Sequence, residues 1–137
     1  MAVNKITVQS SISADRKKVW DYYTKPEHIT QWNFADTSWH CPTAENDLRV
    51  GGRYCARMEA KDGSAGFDFE AIYTEMIEGE QFTYEFGGRI AIVKIHESGS
   101  QTEISVTFDA ENENSIELQK GGWQAILNHF KNYAEAN

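Results

Sequence analysis

Basic residues are few and scattered in this sequence. Thirteen lysines and arginines stand against 21 aspartates and glutamates, leaving a net charge of −8. A nucleic-acid binder needs a basic face to neutralise phosphates, and no run of lysine or arginine supplies one. The same shortage argues against binding to anionic membrane surfaces. Long apolar runs are missing too, with nothing near the ~18 residues of a membrane helix. The opening Met1-Ala2-Val3-Asn4-Lys5 lacks the apolar core of a secretion signal. Cysteine is down to Cys41 and Cys55, with no CxxC spacing, so neither a disulfide framework nor a zinc motif is expected. A reduced, cytoplasmic setting is the simplest reading of that pair. Gly51-Gly52 and Gly87-Gly88 match no phosphate loop, and no G-x-S-x-G nucleophile motif occurs.

Rings, by contrast, are plentiful: four tryptophans, six tyrosines and seven phenylalanines in 137 residues. That bulk suits either a thick core or a cavity lined with aromatic side chains. The length fits one domain over residues 1–137, large enough to bury a core without a staple.

Along the chain, Val3, Ile6, Val8 and Ile12 fit a strand over 3–12 with one slip. Val19, Trp20 and Tyr23 then give a short amphipathic helix, opened by Ser13 or Ala14-Asp15. Lys25-Pro26 ends it and begins a second short helix, because proline is at home in the first helical position. Residues 33–47 read as irregular chain carrying Phe34, Trp39 and Pro42. From Val50 the texture is a meander: strands over 53–61, 67–77, 81–86, 89–96 and 101–110, with Gly87-Gly88 as a two-residue hairpin turn. Ile104, Val106 and Phe108 alternate with polar residues, so the last strand has one buried and one wet face. Asn114, with Glu117 three residues on, reads as a capping box for a final helix. Trp123, Ile126, Leu127, Phe130, Tyr133 and Ala134 form its apolar stripe. Gly121-Gly122 early in that helix costs about 1 kcal/mol per glycine, which suggests close backbone approach or room for a ligand. The economical arrangement is a sheet curling around the last helix, with the two short helices plugging the gap and a pocket left between.

Four ordered segments resemble one known family: Val19-Trp20 with Thr24-Lys25-Pro26-Glu27-His28 and Trp32; Asp47 to Tyr54; Gly66 to Ala71 with Tyr73-Thr74-Glu75; and Gly122 to Tyr133. Together they are similar to the activator of heat-shock protein 90 ATPase homologue-like family, within the START-like (SRPBCC, birch-pollen-allergen-like) superfamily. The resemblance implies an α+β helix-grip fold, with a curved antiparallel sheet of about six strands around a long C-terminal helix. It also implies a cavity between sheet and helix. Ala71, where the family often has glycine, would narrow the space nearby. The co-chaperone behind the family's name carries a further N-terminal domain, so chaperone regulation is the weakest expectation.

The expected cavity lining is Trp32, Phe34, Trp39, Met58, Phe67 and Phe69, continued by Tyr84, Phe86, Trp123, Leu127 and Phe130. A small hydrophobic or amphipathic ligand is the expected partner, with no metal, cofactor or nucleic acid. An exposed sheet face or edge leaves a homodimer open. The alternative is an enzyme of cyclase, dehydratase or hydrolase type in the same cavity, which requires a buried acid–base group among Glu59, Glu70, Tyr84 and His96. Arg53, Arg57, Glu59, Asp68 and Glu70 read as a solvated outer face with cross-strand pairs, the alternative being an inward arginine and carboxylate. His40, Cys41, Cys55, His96 and His28 match no metal spacing, and His129 reads as a partly exposed polar residue.

Overall fold

The structure, a computed structural model, describes residues 4–137. Seven antiparallel strands form one curled sheet, one more than expected. They are β1 (Lys5–Ile12), β2 (Trp39–Asn46), β3 (Arg53–Ala60), β4 (Gly66–Ile77), β5 (Gln81–Phe86), β6 (Arg89–Ser98) and β7 (Gln101–Asp109). Their order across the sheet is β1-β7-β6-β5-β4-β3-β2. Helices α1 (Arg16–Thr24) and α2 (Pro26–Trp32) follow β1, and α3 (Ile116–Ala136) ends the chain. No helix among the described residues is long and apolar enough to cross a membrane.

In β1 the register with β7 runs unbroken from Lys5–Asp109 to Ile12–Thr102. There is no slip between Ile6 and Ile12: Ser10 takes the inward position, because side chains alternate strictly along a regular strand. Val3 lies outside the described residues. Asp15 caps α1, its side chain accepting a hydrogen bond from the Lys18 amide at 2.7 Å. The helix stops at Lys25, whose backbone is extended (φ −81°, ψ 131°). The ring of Pro26 clashes with a helical conformation in the preceding residue and forces that break. Trp32 closes α2, anchored by its indole N–H to the Tyr22 carbonyl at 3.0 Å.

Residues 39–46 correct the reading of 33–47 as irregular chain. They form β2, which borders the sheet and pairs only with β3, with a bulge between His40 and Thr43. Pro42 sits in that bulge, where proline's missing N–H is tolerated. Gly87 and Gly88 form the β5–β6 turn with φ of 59° and 79°, the left-handed values such a turn demands.

The cap of α3 falls one residue later than expected. Ser115 accepts from the Leu118 amide at 3.1 Å, whereas the Asn114 amide is held by Glu111 at 2.6 Å. Three residues beyond the true cap stands Leu118, so no reciprocal box forms. A Cβ on Gly121 or Gly122 would meet nothing within 4 Å, so neither glycine marks a close backbone approach. The expected stripe does face inward, with Leu127, Phe130 and Ala134 buried and Trp123, Ile126 and Tyr133 partly so. Trp123 stacks on Phe108 of β7, centroids 3.9 Å apart and planes within 10°.

Cys41 is buried in β2 and Cys55 half-buried in β3, both as free thiols. Burial pushes the Cys41 thiol up to about 11, with a further push from Cys55. Only the thiolate is nucleophilic, so a disulfide reagent at neutral pH should titrate one thiol rapidly in the native protein and two in denaturant. Two fast equivalents in the native state would contradict the burial of Cys41.

A ringed hollow between sheet and helix

Helix α3 leans closely on β1, α1 and α2 but stands off from the middle strands. On the concave face of those strands, Ala56, Ala71 and Ala91 are buried and small. A cavity of about 340 Å³ remains between this face and the helix. Its floor runs along β5 through Phe82, Tyr84 and Phe86, which share one face by the period of two. Trp123, Ile126 and Leu127 of α3 form the roof. Tyr54 and Met58 of β3 and Phe67, Phe69 and Tyr73 of β4 make one wall; Val106 and Arg89 lie on the other. Tyr23, Trp32 and Asn33 close the end beneath the short helices.

Of the residues expected to line a cavity, Trp32, Met58, Phe67 and Phe69 border this hollow, as do Tyr84, Phe86, Trp123 and Leu127. Three others stand elsewhere. Phe130 is fully buried behind the end wall, edge-on to Trp32 at 5.0 Å and Tyr23 at 5.1 Å. Phe34 packs on the His129 ring at 4.6 Å, and His129 Nδ1 donates to the Phe34 carbonyl. Trp39 meets Phe67 from the side at 6.0 Å. Phe34 thereby fastens the crossing from α2 to β2, while Trp39, opening β2, braces Phe67.

Several further lining residues carry a signal in the sequence. Phe82 shares the face of Tyr84 and Phe86, and Tyr54 shares that of Met58. Arg89 follows from the hairpin: a two-residue turn pairs Phe86 with Arg89, and directly paired residues share a face. Tyr73 continues the face of Phe67, Phe69 and Ala71 at steps of two, and the alternation of β4 breaks only after it, between Tyr73 and Glu75.

The polar groups of the hollow are mainly phenol hydroxyls. Tyr73 donates to Asn46 Oδ1 at 2.8 Å, and Asn33 Nδ2 donates to the Tyr54 hydroxyl at 3.3 Å. The Tyr23 and Tyr84 hydroxyls have no partner in the chain among the described residues. No buried side-chain polar atom there is left unpaired, so these two hydroxyls meet open space. Burial raises all four phenols well above the ordinary tyrosine value, and for Tyr23, Tyr54 and Tyr73 the neighbouring Tyr84 adds to it. They are neutral donors and acceptors at physiological pH. Arg89 lies over the Phe86 ring, 4.9 Å from its centroid, and its Nε and Nη2 donate to the Asp109 carbonyl at 3.0 and 2.8 Å.

The strand charges lie on the outer face. Arg53 pairs with Glu70, and Arg57 reaches Glu59 at 2.9 Å and Asp68 at 3.6 Å. Exposed pairs of this kind are screened by solvent and add little to stability. His96 is likewise exposed, 3.0 Å from Glu103. Of the four residues that catalysis would have drawn on, Tyr84 alone borders the hollow. Among the described residues, no three histidine, cysteine, aspartate or glutamate side chains are placed to hold a metal ion.

A family model described as Activator of Hsp90 ATPase homolog 1-like protein matches residues 13–135. Among solved structures, the chain is similar to an AHSA1-like protein from Aeromonas hydrophila, at 38% identity and a TM-score of 0.91 over 97% of this chain and 93% of that one. A protein from Cytophaga hutchinsonii is 44% identical, with a TM-score of 0.83 over 97% of this chain and 93% of that one. A protein from Chromobacterium violaceum shares the fold at 22% identity, with a TM-score of 0.86 over 98% and 99% of the two chains. Nothing among curated proteins matches the sequence.

Proposed function

The chain belongs to the activator of heat-shock protein 90 ATPase homologue-like family, and from that premise we propose that it binds a small hydrophobic or amphipathic molecule between sheet and α3. The observation that carries this reading is the hollow itself, about 340 Å³ and bordered chiefly by aromatic and aliphatic side chains. That volume lies within the range of about 300–1,000 Å³ typical of ligand pockets, and it is more than twice an engineered cavity of about 150 Å³ that holds benzene. Affinity would come mainly from apolar area removed from water, at roughly 25 cal/mol per Å². Catalysis is the weaker reading, because the lining offers no carboxylate or histidine, and phenols held neutral by burial are poor proton acceptors. The two free cysteines support a reducing, cytoplasmic setting for this binding.

Native mass spectrometry of gently purified protein, compared with the denatured mass, tests the proposal. The expected result is a discrete mass excess that denaturation removes. A protein that arrives empty, and whose Trp32 and Trp123 emission stays unchanged across a broad panel of apolar molecules, would refute it.

A further inference from the structure

Arg89 is the one charged side chain bordering the hollow among the described residues. It stands at a definite end. The β3–β4 and β5–β6 hairpins lie at the same edge of the antiparallel sheet, opposite the end closed by Tyr23 and Trp32. At that edge Phe67 borders the hollow while 51% exposed, which marks the mouth. Arg89 pairs with Phe86 there, next to the turn.

The guanidinium is fixed in place and makes no direct ion pair among the described residues, although the Asp109 carboxylate is near enough to feel its charge. Two of its N–H groups are spent on a main-chain carbonyl, that of Asp109, and its plane is supported by the Phe86 ring. The carboxylate of Asp109 is engaged by Lys5 and by the Ile90 amide. No carboxylate among the described residues lies within 4.0 Å of the Arg89 nitrogens. A carbonyl orients an arginine without taking up its charge, and the Asp109 carboxylate is already shared with Lys5 and the Ile90 amide, so the rest of the guanidinium fork is a preorganised anion receptor. Below it runs an apolar floor: Tyr84 and Phe82 lie two and four residues deeper along β5, about 7 and 13 Å from Phe86.

We infer that the hollow selects an amphipathic acid, its carboxylate meeting the Arg89 guanidinium at the mouth and its apolar body lying along Phe86, Tyr84 and Phe82 beneath α3. This rests on the reading of the hollow as a binding site and adds the chemistry of the ligand's head. The hollow has room for roughly eleven water-sized atoms, about the size of a ten-carbon chain with its head group.

Three probes with chains of nine or ten carbons and different head groups make the test: decanoate, decanol and decyltrimethylammonium, titrated at neutral pH against the emission of Trp32 and Trp123. Decanoate should bind about tenfold or more tighter than decanol, since charge-assisted hydrogen bonds are roughly twice as strong as neutral ones. The ammonium should be the weakest. Arg89→Gln should bring decanoate down to the level of decanol and leave decanol within about threefold of its original affinity. The advantage of decanoate should shrink with added salt, as expected for an ion pair at an open mouth. If decanol matches decanoate in the unaltered protein, the carboxylate inference fails while the binding site stands. If none of the three binds, the binding reading fails as well.

Discussion

Phe130→Ala is expected to destabilise the protein by about 3–5 kcal/mol, the usual cost of removing a fully buried phenylalanine. Phe130 is 0% exposed and holds Tyr23 and Trp32 edge-on at about 5 Å. Those two rings belong to α1 and α2, so the loss would loosen the contact of both short helices with α3. Typical domains are stable by only about 5–15 kcal/mol, so urea unfolding should shift far toward low denaturant. Phe67→Ala is the internal comparison. Phe67 borders the hollow at its mouth but is half exposed, and its truncation should change stability by no more than about 1 kcal/mol while weakening apolar probes. Equal destabilisation by the two substitutions would mean that the wall of the hollow and the core behind it are one packed unit.

Raising the pH should unfold the protein steeply, through the tyrosines of the hollow. Tyr23, Tyr54, Tyr73 and Tyr84 all hold their protons more tightly in the folded chain, first because burial penalises the phenolate. The unfolded value is about 10. Below it both states are protonated and the four groups contribute their full stabilisation. Above it the unfolded chain releases protons that the folded chain retains, and stability falls until the folded phenols ionise. Each group then removes about 1.4 kcal/mol per pH unit, and four acting together remove roughly 5.6 kcal/mol per unit. Within one to three units above pH 10 this slope consumes a typical total stability of about 5–15 kcal/mol. Phenolate absorbance should therefore rise in one step together with the loss of circular dichroism. Appearance of four or more of the six phenolates near pH 10 in a folded protein would show that these hydroxyls are solvated.

Most of the fold was legible because its signals are local. Asp15 ahead of Val19-Trp20, Pro26 at a helix start, and two glycines between apolar runs each fix the backbone by sterics or hydrogen bonding within a few residues. The exception was β2. Its single proline and its bulge remove the alternation by which a strand is recognised, and one buried residue there, Cys41, is not a strong apolar marker. The cap of α3 was misplaced by one residue because Asn114 and Ser115 are both good caps; the choice fell to Glu111, which holds the Asn114 amide.

The hollow was legible in its rings and not in its shape. Period-two alternation put Phe67, Phe69, Tyr84 and Phe86 on inward faces. Whether an inward ring fills a core or borders a space depends on how far α3 stands from the strand beneath it. That distance is set by the stacking of Trp123 on Phe108 and by the anchorage of α3 on β1, contacts between segments far apart in the chain. Phe130 shows the difficulty plainly: it shares a helical stripe with Leu127, yet one borders the hollow and the other is sealed behind it.

The border strand β2 has a consequence for behaviour in crowded solution. A strand from another molecule can extend a sheet only along an unbroken row of main-chain donors and acceptors. Here that row is interrupted, since Pro42 has no N–H to offer and the backbone shifts register between His40 and Thr43. A neighbouring chain that began to add at Trp39 would lose its ladder within a few residues. The feature that hid this strand from the alternation pattern thus also disfavours strand addition along this border, and assembly across it would have to rely on side chains.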